Sequence, residues 1–275
     1  MQVELFGVNQ QTCNQDGICA MVCPAGIIDF QKGGYPTPNA MAEAVCIRCG
    51  HCVAVCPTAS LSHREMTLAE CPPLKKELYL TAEHCEHFLR NRRSIRVYKN
   101  KPVPRDDISR LIEIARYAPS GHNSQCAEWL VLSNGDELHK LAGIVVDWMR
   151  WMTGNMPEIA QSMHMDRVIK RWEGGNDIIL RGAPVVIVAH AEKENRAAPS
   201  TCTIALTYLE LAAVSMGLGC CWAGYFNAAA VTFPPMMEAL SLPVGHQCFG
   251  AMMVGYPKFS YHRLPARRPP LVTWR

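Results

Sequence analysis

The pattern of apolar and polar positions changes near residues 65–87, and beyond that point the chain alternates between helical and strand-like segments. Ile108, Leu111, Ile112 and Ala115 recur at helical spacing, which predicts a helix from 106 to 117. Shorter apolar runs predict strands, and longer periodic segments predict helices. The predicted strands are 128–133, 184–190, 220–225 and 247–256, and the further predicted helices are 136–152, 158–172, 202–216 and 235–240.

These elements predict a mixed α+β fold for the second part of the chain, because strands and helices do not alternate regularly as they do in a doubly wound sheet. Pro72 and Pro73 end the first part, and a helical stretch from Leu74 to about Arg90 is predicted to connect the two parts. The predicted organisation is a domain at 1–65, a helical connector at 66–87 and a domain at 88–275.

Composition and charge fit a folded protein without a nucleic-acid or membrane partner. The 275 residues are 49% hydrophobic and 19% charged, and the net charge is only +3. Met1 to Phe6 have neither the basic start nor the apolar stretch of a signal peptide, so we expect a cytoplasmic protein. The most apolar long run, Ile204 to Phe226, predicts a buried helix and strand, with a membrane span as the alternative.

Seven of the 14 cysteines lie between residues 13 and 56, and their spacing is typical of iron–sulfur ligands. Cys46, Cys49, Cys52 and Cys56 precede Pro57 in a C-x2-C-x2-C-x3-C-P run. The same run occurs 33 residues earlier, with an aspartate at the second ligand position. Its members are Cys13, Asp16, Cys19 and Cys23, followed by Pro24.

In such runs the fourth cysteine ligates the other cluster. This rule predicts one cluster on Cys46, Cys49, Cys52 and Cys23, and another on Cys13, Asp16, Cys19 and Cys56. Asp16 either ligates iron as a hard oxygen donor or, in an Asp-Gly turn, faces water beside a three-iron cluster. A zinc site is the alternative for the whole set of cysteines.

Residues 1–65 resemble the bacterial two-cluster ferredoxins, including members with aspartate at the second ligand position. The resemblance implies a ferredoxin-like fold. It also implies one [4Fe–4S] cluster and a second cluster that is either an Asp-ligated [4Fe–4S] cluster or a [3Fe–4S] cluster. We therefore expect a protein that transfers electrons.

Two polar segments of the second part suit a phosphate and a flat polar ring. Arg92, Arg93, Ser94 and Arg96 place three guanidinium groups and a hydroxyl within five residues, which suits a dianionic phosphate. The loop at 118–125 lies between a predicted helix and a predicted strand, and its backbone and amide groups suit a polar ring. Near the end of the chain, Arg263, Arg267 and Arg268 form another basic group.

Residues 88–275 resemble the nitroreductase family of FMN proteins, through these two segments, the segment at 217–225 and the terminal segments 255–258 and 265–269. The resemblance implies a homodimer with FMN at the subunit interface, contacted by both chains. It assigns the FMN phosphate to Arg92, Arg93, Ser94, Arg96 and Arg267. It assigns the flavin ring to Ser120, Gly121, Asn123, Gln125, Ala223, Gly224 and Tyr225.

Together these patterns predict an FMN-dependent oxidoreductase of anaerobic type. No nucleophile or acid–base pair stands out, and a flavin carries the chemistry itself. We expect electrons to pass from the two clusters to FMN and on to a small organic acceptor such as a nitroaromatic, a quinone or an enone-like compound. The electron donor is then a redox partner such as a ferredoxin. In one alternative, NAD(P)H reduces the flavin and electrons leave through the clusters, and in another the protein is a non-catalytic redox sensor or electron-transfer partner.

Overall fold

The structure is a computed structural model that describes residues 4–275, so the first half of the segment used to argue against a signal peptide lies outside it. The chain divides into two compact units. The N-terminal unit extends to Leu80 and includes His122–Ser124, and the C-terminal unit contains Thr81–Gly121 and Gln125–Arg275.

From residue 4 onward, the N-terminal unit contains two short antiparallel strand pairs and three short helices. Strand β1 pairs with β4, with Phe6 opposite His63, and β2 pairs with β3. Leu5, Phe6, Ile27, Ile28, Val53 and Leu61 belong to its small core. The elements are β1 (Phe6–Val8), α1 (Ile18–Met21), β2 (Ile28–Asp29), β3 (Thr37–Pro38), α2 (Ala42–Val45), α3 (His51–Val55) and β4 (Leu61–His63).

Two glycines that lie 33 residues apart explain how the sequence repeat becomes a structural repeat. Gly17 precedes α1 with φ 70°, and Gly50 precedes α3 with φ 71°. Both are in the left-handed region, which glycine adopts without steric cost. A Cβ at Gly17 would also lie 2.4 Å from the ring of Phe30. Each glycine therefore turns the chain sharply between the second and third ligand positions of its run.

The predicted connector is not one continuous helix. Short 3₁₀ turns lie at Leu68–Glu70 and Lys76–Leu78, and the helix α4 covers Ala82–Asn91. Thr81 fixes the start of α4 because its hydroxyl accepts a hydrogen bond of 3.2 Å from the backbone N–H of His84. The prediction of a helix over 74–90 was therefore wrong for its first half.

The C-terminal unit is built around a four-stranded antiparallel sheet in the order β5-β6-β8-β7. This confirms the prediction of a mixed α+β fold. The helices are α5 (Arg105–Ala115), α6 (Gly135–Asn155), α7 (Pro157–Ser162), α8 (Met165–Glu173), α9 (Ala198–Ser215), α10 (Gly224–Thr232) and α11 (Pro234–Leu240). The strands are β5 (Glu128–Leu132), β6 (Val185–Glu192), β7 (Gly219–Trp222) and β8 (His246–Gly255).

Helices cover both faces of the sheet, which explains why β6 is a continuous apolar run. Val186 and Val188 belong to the cluster on one face, together with residues of α6, α10 and α11. Val185 and Ile187 belong to the cluster on the other face, together with residues of α5 and α9. Because β6 is buried on both sides, its sequence shows no alternation of apolar and polar positions.

Two predicted elements differ from the structure. The helix predicted over 158–172 is interrupted at His164, whose φ of 53° and ψ of 40° are left-handed, so α7 and α8 are separate. The strand predicted over 220–225 ends at Trp222, and α10 begins at Gly224. The sequence that follows Phe226 contains three consecutive alanines, and alanine is the strongest helix former.

The run from Ile204 to Phe226 therefore contains the end of α9, then β7, then the start of α10. No helix within residues 4–275 is both long enough and apolar enough to cross a membrane.

Candidate functional site

Four cysteines of the N-terminal unit line one cavity. Three of them belong to the second run, and the fourth, Cys23, comes from the first run. The remaining lining is largely apolar and includes Leu5, Phe6, Ile27 and Ile28. A cavity with four thiols and apolar walls fits a four-iron cluster, because thiolates are the soft ligands that such clusters require. The cysteines are Cys23, Cys46, Cys49 and Cys52.

A second cavity is lined by the other four predicted ligands. They are Cys13, Asp16, Cys19 and Cys56. Cys56 thus lies with the residues of the first run, as Cys23 lies with those of the second. The structure brings the eight predicted ligands together in the two crossed groups that the spacing predicts.

All described cysteines are free thiols, and backbone N–H groups point at two of the sulfurs. The N–H of Arg48 donates to Sγ of Cys46 at 3.4 Å, and that of Ser60 donates to Sγ of Cys56 at 3.2 Å. Burial raises the pKa of Cys52 to about 11, so its proton must be displaced when a metal binds. Burial also raises the pKa of Cys56, but hydrogen bonds from Thr58 and from backbone amides outweigh it, and the net pKa is lowered.

Sequence reasoning missed a histidine beside the first cavity. The Nδ1 atom of His63 accepts a hydrogen bond of 3.1 Å from the N–H of Glu65, so the ring proton is on Nε2. Nε2 lies 3.6 Å from Sγ of Cys46 and donates to it. His63 is 5% exposed and lines the cavity. No spacing rule marks a histidine at this position, so only the fold identifies it.

Asp16 lines the second cavity and also stabilises the start of α1. Its Oδ1 atom accepts a hydrogen bond of 3.1 Å from the backbone N–H of Ile18. The carboxylate oxygen Oδ2 makes no hydrogen bond or ion pair among the described residues. One oxygen of Asp16 is therefore used by the backbone, and the other is free to meet a metal.

The arginine-rich segment of the C-terminal unit is held against the edge strand β7. The N–H of Ile95 donates to the carbonyl of Cys220 at 2.8 Å, and the hydroxyl of Tyr98 donates to the carbonyl of Ile95 at 2.7 Å. A Cβ at Gly219 would lie 2.3 Å from Cγ1 of Ile95, so the segment and the strand approach more closely than any larger residue would allow. This packing places the arginines beside the end of β7.

Arg92 forms an ion pair of 2.8 Å with the buried carboxylate of Glu210, and it lies 3.4 Å from the hydroxyl of Ser94. Arg93 donates to the carbonyl of Arg90, and Arg96 donates to that of Ser94 at 3.4 Å. These contacts use one or two of the five N–H donors of each guanidinium group and leave the others for a ligand.

Arg181 is a further cation at this place that the sequence reasoning missed. Burial raises the pKa of Cys221. Arg96, Arg181 and Arg92 oppose that rise through their positive charges, and the negative charge of Glu210 adds to it. Arg181 is half-buried and has a left-handed φ of 59°. Because Glu210 offsets Arg92, two positive charges remain in excess around this buried position, which fits a dianionic phosphate.

Ala223, Gly224 and Tyr225 lie at the N-terminus of α10, and not on a strand as predicted. The N–H of Ala223 donates to the carbonyl of Ala251 at 2.9 Å, and the hydroxyl of Tyr225 donates to that of Met163 at 3.2 Å. The position of a Cβ at Gly224 is open space. The first N–H groups of a helix have no acceptor within that helix, and Gly224 has no side chain to block a ligand there. This position suits the oxygen and nitrogen acceptors of a flat ring.

Two of the loop residues predicted to contact the flavin make hydrogen bonds within the described chain. The hydroxyl of Ser120 accepts a hydrogen bond of 3.0 Å from the N–H of Gln125. Asn123 belongs to the N-terminal unit, where its amide donates to the carbonyls of Ile47 at 3.1 Å and Arg48 at 3.0 Å. Both hydrogen bonds donated by the side-chain amide of Asn123 therefore go to the loop that carries Cys46 and Cys49.

The loop and the other predicted flavin segments make no polar contact with each other among the described residues. Among residues 4–275, no hydrogen bond or ion pair joins Ser120, Gly121 or Gln125 to the segments 92–96 or 223–225. Arg267 is exposed in the segment that follows β8.

Comparison with known proteins identifies two regions. The nitroreductase family matches residues 89–256, and the 4Fe-4S dicluster domain matches residues 12–61. Arg267 lies beyond the matched range. A putative NADH dehydrogenase/NAD(P)H nitroreductase of Archaeoglobus fulgidus is 25% identical over 181 residues, which are 64% of this chain and 87% of that protein. Iodotyrosine deiodinase 1 of Rattus norvegicus is 25% identical over 199 residues, which are 66% of this chain and 65% of that protein.

Solved structures show the same fold. A nitroreductase with bound FMN from Bacteroides fragilis superposes with a TM-score of 0.56 at 21% identity, covering 68% of this chain and 98% of that one. A nitroreductase with bound FMN from Desulfitobacterium hafniense gives a TM-score of 0.56 at 22% identity, covering 71% of this chain and 99% of that one. The chain therefore belongs to the nitroreductase family of FMN-dependent oxidoreductases, and a 4Fe-4S dicluster domain precedes its nitroreductase domain.

Proposed function

We propose that the protein takes electrons in through two iron–sulfur clusters, passes them to FMN, and reduces a small organic acceptor of the nitroaromatic, quinone or enone-like class. The observation that carries this proposal is the crossed grouping of the eight ligands, with Cys23 beside the second run and Cys56 beside the first. Two cluster sites in such a module suit the transfer of single electrons.

In this proposal the first cluster is a [4Fe–4S] cluster held by Cys23, Cys46, Cys49 and Cys52. Cys13, Cys19 and Cys56 hold the second cluster, with Asp16 at its fourth corner. An oxygen ligand holds iron less firmly than a thiolate does, so this corner is the labile one.

FMN is proposed to bind at the end of β7, since the cations there fit its phosphate. Arg92, Arg96 and Arg181 supply the positive charge, with Arg93 and Ser94 beside them. Two solved nitroreductases of this fold are described with FMN bound, which supports the same cofactor here. When bound, the flavin supplies chemistry that converts one-electron transfer into two-electron reduction. Ala223, Gly224 and Tyr225 are proposed to contact its ring.

A homodimer is part of the proposal. Ser120, Gly121 and Gln125 make no polar contact with the segment 92–96 in the described chain, yet the family resemblance assigns both to the flavin. The two observations agree if the loop of one protomer serves the flavin of its partner. Asn123 is proposed to act differently, because its amide already binds the loop of Cys46 and Cys49.

One observation favours a second candidate function. The relative from Archaeoglobus fulgidus is named for NADH and NAD(P)H, which supports direct reduction of the flavin by a nicotinamide and outward flow through the clusters. In either case we propose a cytoplasmic protein, where thiolate ligands stay reduced.

Stopped-flow mixing of the anaerobically purified protein distinguishes the two directions. We expect a reduced ferredoxin to bleach the flavin absorbance rapidly in the wild-type protein and slowly in a Cys49→Ser variant, which lacks one ligand of the first cluster. Dithionite should still bleach the flavin in both, which controls for cofactor content. Rapid bleaching by NAD(P)H in both proteins, with no response to the ferredoxin, would reverse the proposed direction.

A further inference from the structure

Two histidines and a glutamate meet on three neighbouring strands of the C-terminal sheet. Glu128 begins β5 and lies opposite His190 on β6. The pairing of β6 with β8 contains a register shift between Ala189 and His190, so that His190 lies opposite Cys248. His246, two residues before Cys248, therefore shares the face of the sheet that carries Glu128 and His190.

The side-chain atoms of these residues converge on one point. Nδ1 of His190 and Nδ1 of His246 are 3.0 Å apart, and Nδ1 of His246 is 4.0 Å from Oε2 of Glu128. The three ligand atoms all lie within 4.8 Å of one another. Two ligand atoms about 2.0–2.1 Å from a tetrahedral zinc ion are separated by roughly 3.3 Å, so the histidine pair is close to the required spacing. The Glu128 side chain is 58% exposed and has room to move closer.

The local electrostatics favour a cation bound to neutral imidazoles. His190 is 5% exposed, so its ring is held in place by its surroundings, and imidazole binds a metal in its neutral form. The two Nδ1 atoms face each other, and without a metal only one of them can donate a proton to the other. A cation between them accepts lone pairs from both, and the carboxylate of Glu128 supplies negative charge.

The neighbouring cysteine does not belong to this group. The thiol of Cys248 donates to Oδ1 of Asn227 at 3.3 Å and to the carbonyl of Gly250 at 3.7 Å. The donor set is therefore two imidazole nitrogens and one carboxylate oxygen, which suits zinc and its first-row neighbours more than the soft metals that need sulfur. Three protein ligands leave the fourth position of a tetrahedral ion for water.

We propose that Glu128, His190 and His246 form a binding site for a divalent transition-metal ion, with zinc as the best match. This site shares no residue with the cysteine cavities or with the arginine segment, and it does not depend on the proposed electron path. A bound ion would link β5, β6 and β8 at one end of the sheet.

The test uses the anaerobic protein with its clusters and FMN in place. Equilibrium dialysis against zinc, with zinc and iron counted by mass spectrometry, should give one zinc per chain and unchanged iron. We expect His246→Gln to weaken zinc binding by about 100-fold, because loss of a direct ligand costs at least as much as loss of a residue that supports one. Glu128→Gln changes an exposed side chain and leaves the core unaltered, and it should also weaken zinc binding.

Two matched variants control for general effects. Glu192→Gln removes an exposed carboxylate from the residue that pairs with His246, and His262→Gln removes an exposed histidine elsewhere. Both should bind zinc as the wild type does. X-ray absorption spectra at the zinc edge should show nitrogen and oxygen neighbours at about 2.0–2.2 Å and no sulfur near 2.3 Å. Zinc uptake matched by loss of iron, a sulfur neighbour, or full binding by His246→Gln would overturn the proposal.

Discussion

The guanidinium group of Arg92 donates a 2.8 Å hydrogen bond to the carboxylate of Glu210 on α9. The Glu210 side chain is 6% exposed, and that of Arg92 is 27% exposed. An ionised carboxylate that is buried this deeply needs a partner. Arg92 therefore has a structural role in addition to the proposed contact with the FMN phosphate, and the two roles have to be separated by experiment.

We predict that Arg92→Ala both weakens FMN retention and destabilises the C-terminal unit. Loss of the pair leaves Glu210 buried without a counter-charge, which costs roughly 2 kcal/mol given that Arg92 is partly solvated. This corresponds to a fall of about 4–8 °C in the Tm of the FMN-free protein, measured by the loss of helical circular dichroism.

The double variant Arg92→Ala/Glu210→Gln separates the two roles. Removal of the buried charge should restore most of the Tm, because a neutral amide is less costly to bury than a carboxylate. FMN retention after gel filtration should stay low. Recovery of full FMN occupancy in the double variant would show that Arg92 acts only by pairing with Glu210.

Asp16 offers a second separable pair of roles, as the acceptor of the Ile18 N–H before α1 and as a cluster ligand. Asp16→Asn keeps an oxygen that can accept from the N–H of Ile18, but it lacks the negative charge of a good iron ligand. If the carboxylate binds iron, this variant should lose one iron per chain to a chelator faster than the wild type does. Asp16→Cys should retain that iron.

Electron paramagnetic resonance of the oxidised protein, which detects a three-iron cluster, provides the measurement. Thermal unfolding controls for the hydrogen bond to Ile18, since Asp16→Asn should leave the stability of the apoprotein unchanged and Asp16→Cys should lower it by about 1 kcal/mol. Equal iron loss in the wild type and in Asp16→Asn would limit the role of Asp16 to that hydrogen bond.

His63 should raise the reduction potential of the first cluster. Its Nε2–H donates to Sγ of Cys46, and a donor at a ligand sulfur stabilises the more negative, reduced cluster. We predict that His63→Leu lowers the potential by roughly 40 mV, which corresponds to about 1 kcal/mol for one electron.

A potentiometric titration followed by electron paramagnetic resonance measures this shift. His51→Leu is the matched control, because His51 also lines the cavity but its Nδ1 lies 3.4 Å from the carbonyl of Cys49 and not from a sulfur. It should leave the potential within about 10 mV of the wild type. Equal shifts in the two variants would indicate a general effect of losing a polar ring at the cavity.

The spacing of residues along the sequence predicted the two groups of cluster ligands, because the geometry of the N-terminal unit repeats at a fixed spacing. The 33-residue offset between Gly17 and Gly50 repeats a left-handed turn, and the turn fixes where the neighbouring cysteines point. His63 could not be found in this way. It reaches Cys46 through the pairing of β1 with β4, which is a tertiary contact that no local spacing records.

The secondary-structure predictions that were wrong in the C-terminal unit also concern features that no local spacing records. The apolar run from Cys220 to Tyr225 is compatible with a strand or a helix, and the boundary at Ala223 depends on the hydrogen bond from its N–H to Ala251 on β8. The break at His164 has no glycine or proline to mark it. The flavin contact that the motif predicts for Asn123 stays a prediction, and in this structure its amide donates to two carbonyls of the loop at 47–48.

The close approach of Gly219 to Ile95 gives the final prediction. A methyl group at Gly219 would lie 2.3 Å from Cγ1 and 2.8 Å from Cβ of Ile95, and 2.9 Å from Pro257. The segment of Arg92 to Arg96 must then move away from β7. We predict that Gly219→Ala costs about 1–3 kcal/mol of stability through overpacking and also weakens FMN retention, although no predicted ligand is changed.

Gly154→Ala is the matched control, because a Cβ there meets no atom within 4 Å. In the helix α6 this change should be neutral or should stabilise the protein by roughly 0.5–1 kcal/mol. Fluorescence of FMN released on dilution measures retention in both variants. Tight binding by Gly219→Ala would mean that the arginine segment does not need its contact with β7 to hold the phosphate, and the proposed flavin site would then have to be placed elsewhere in the C-terminal unit.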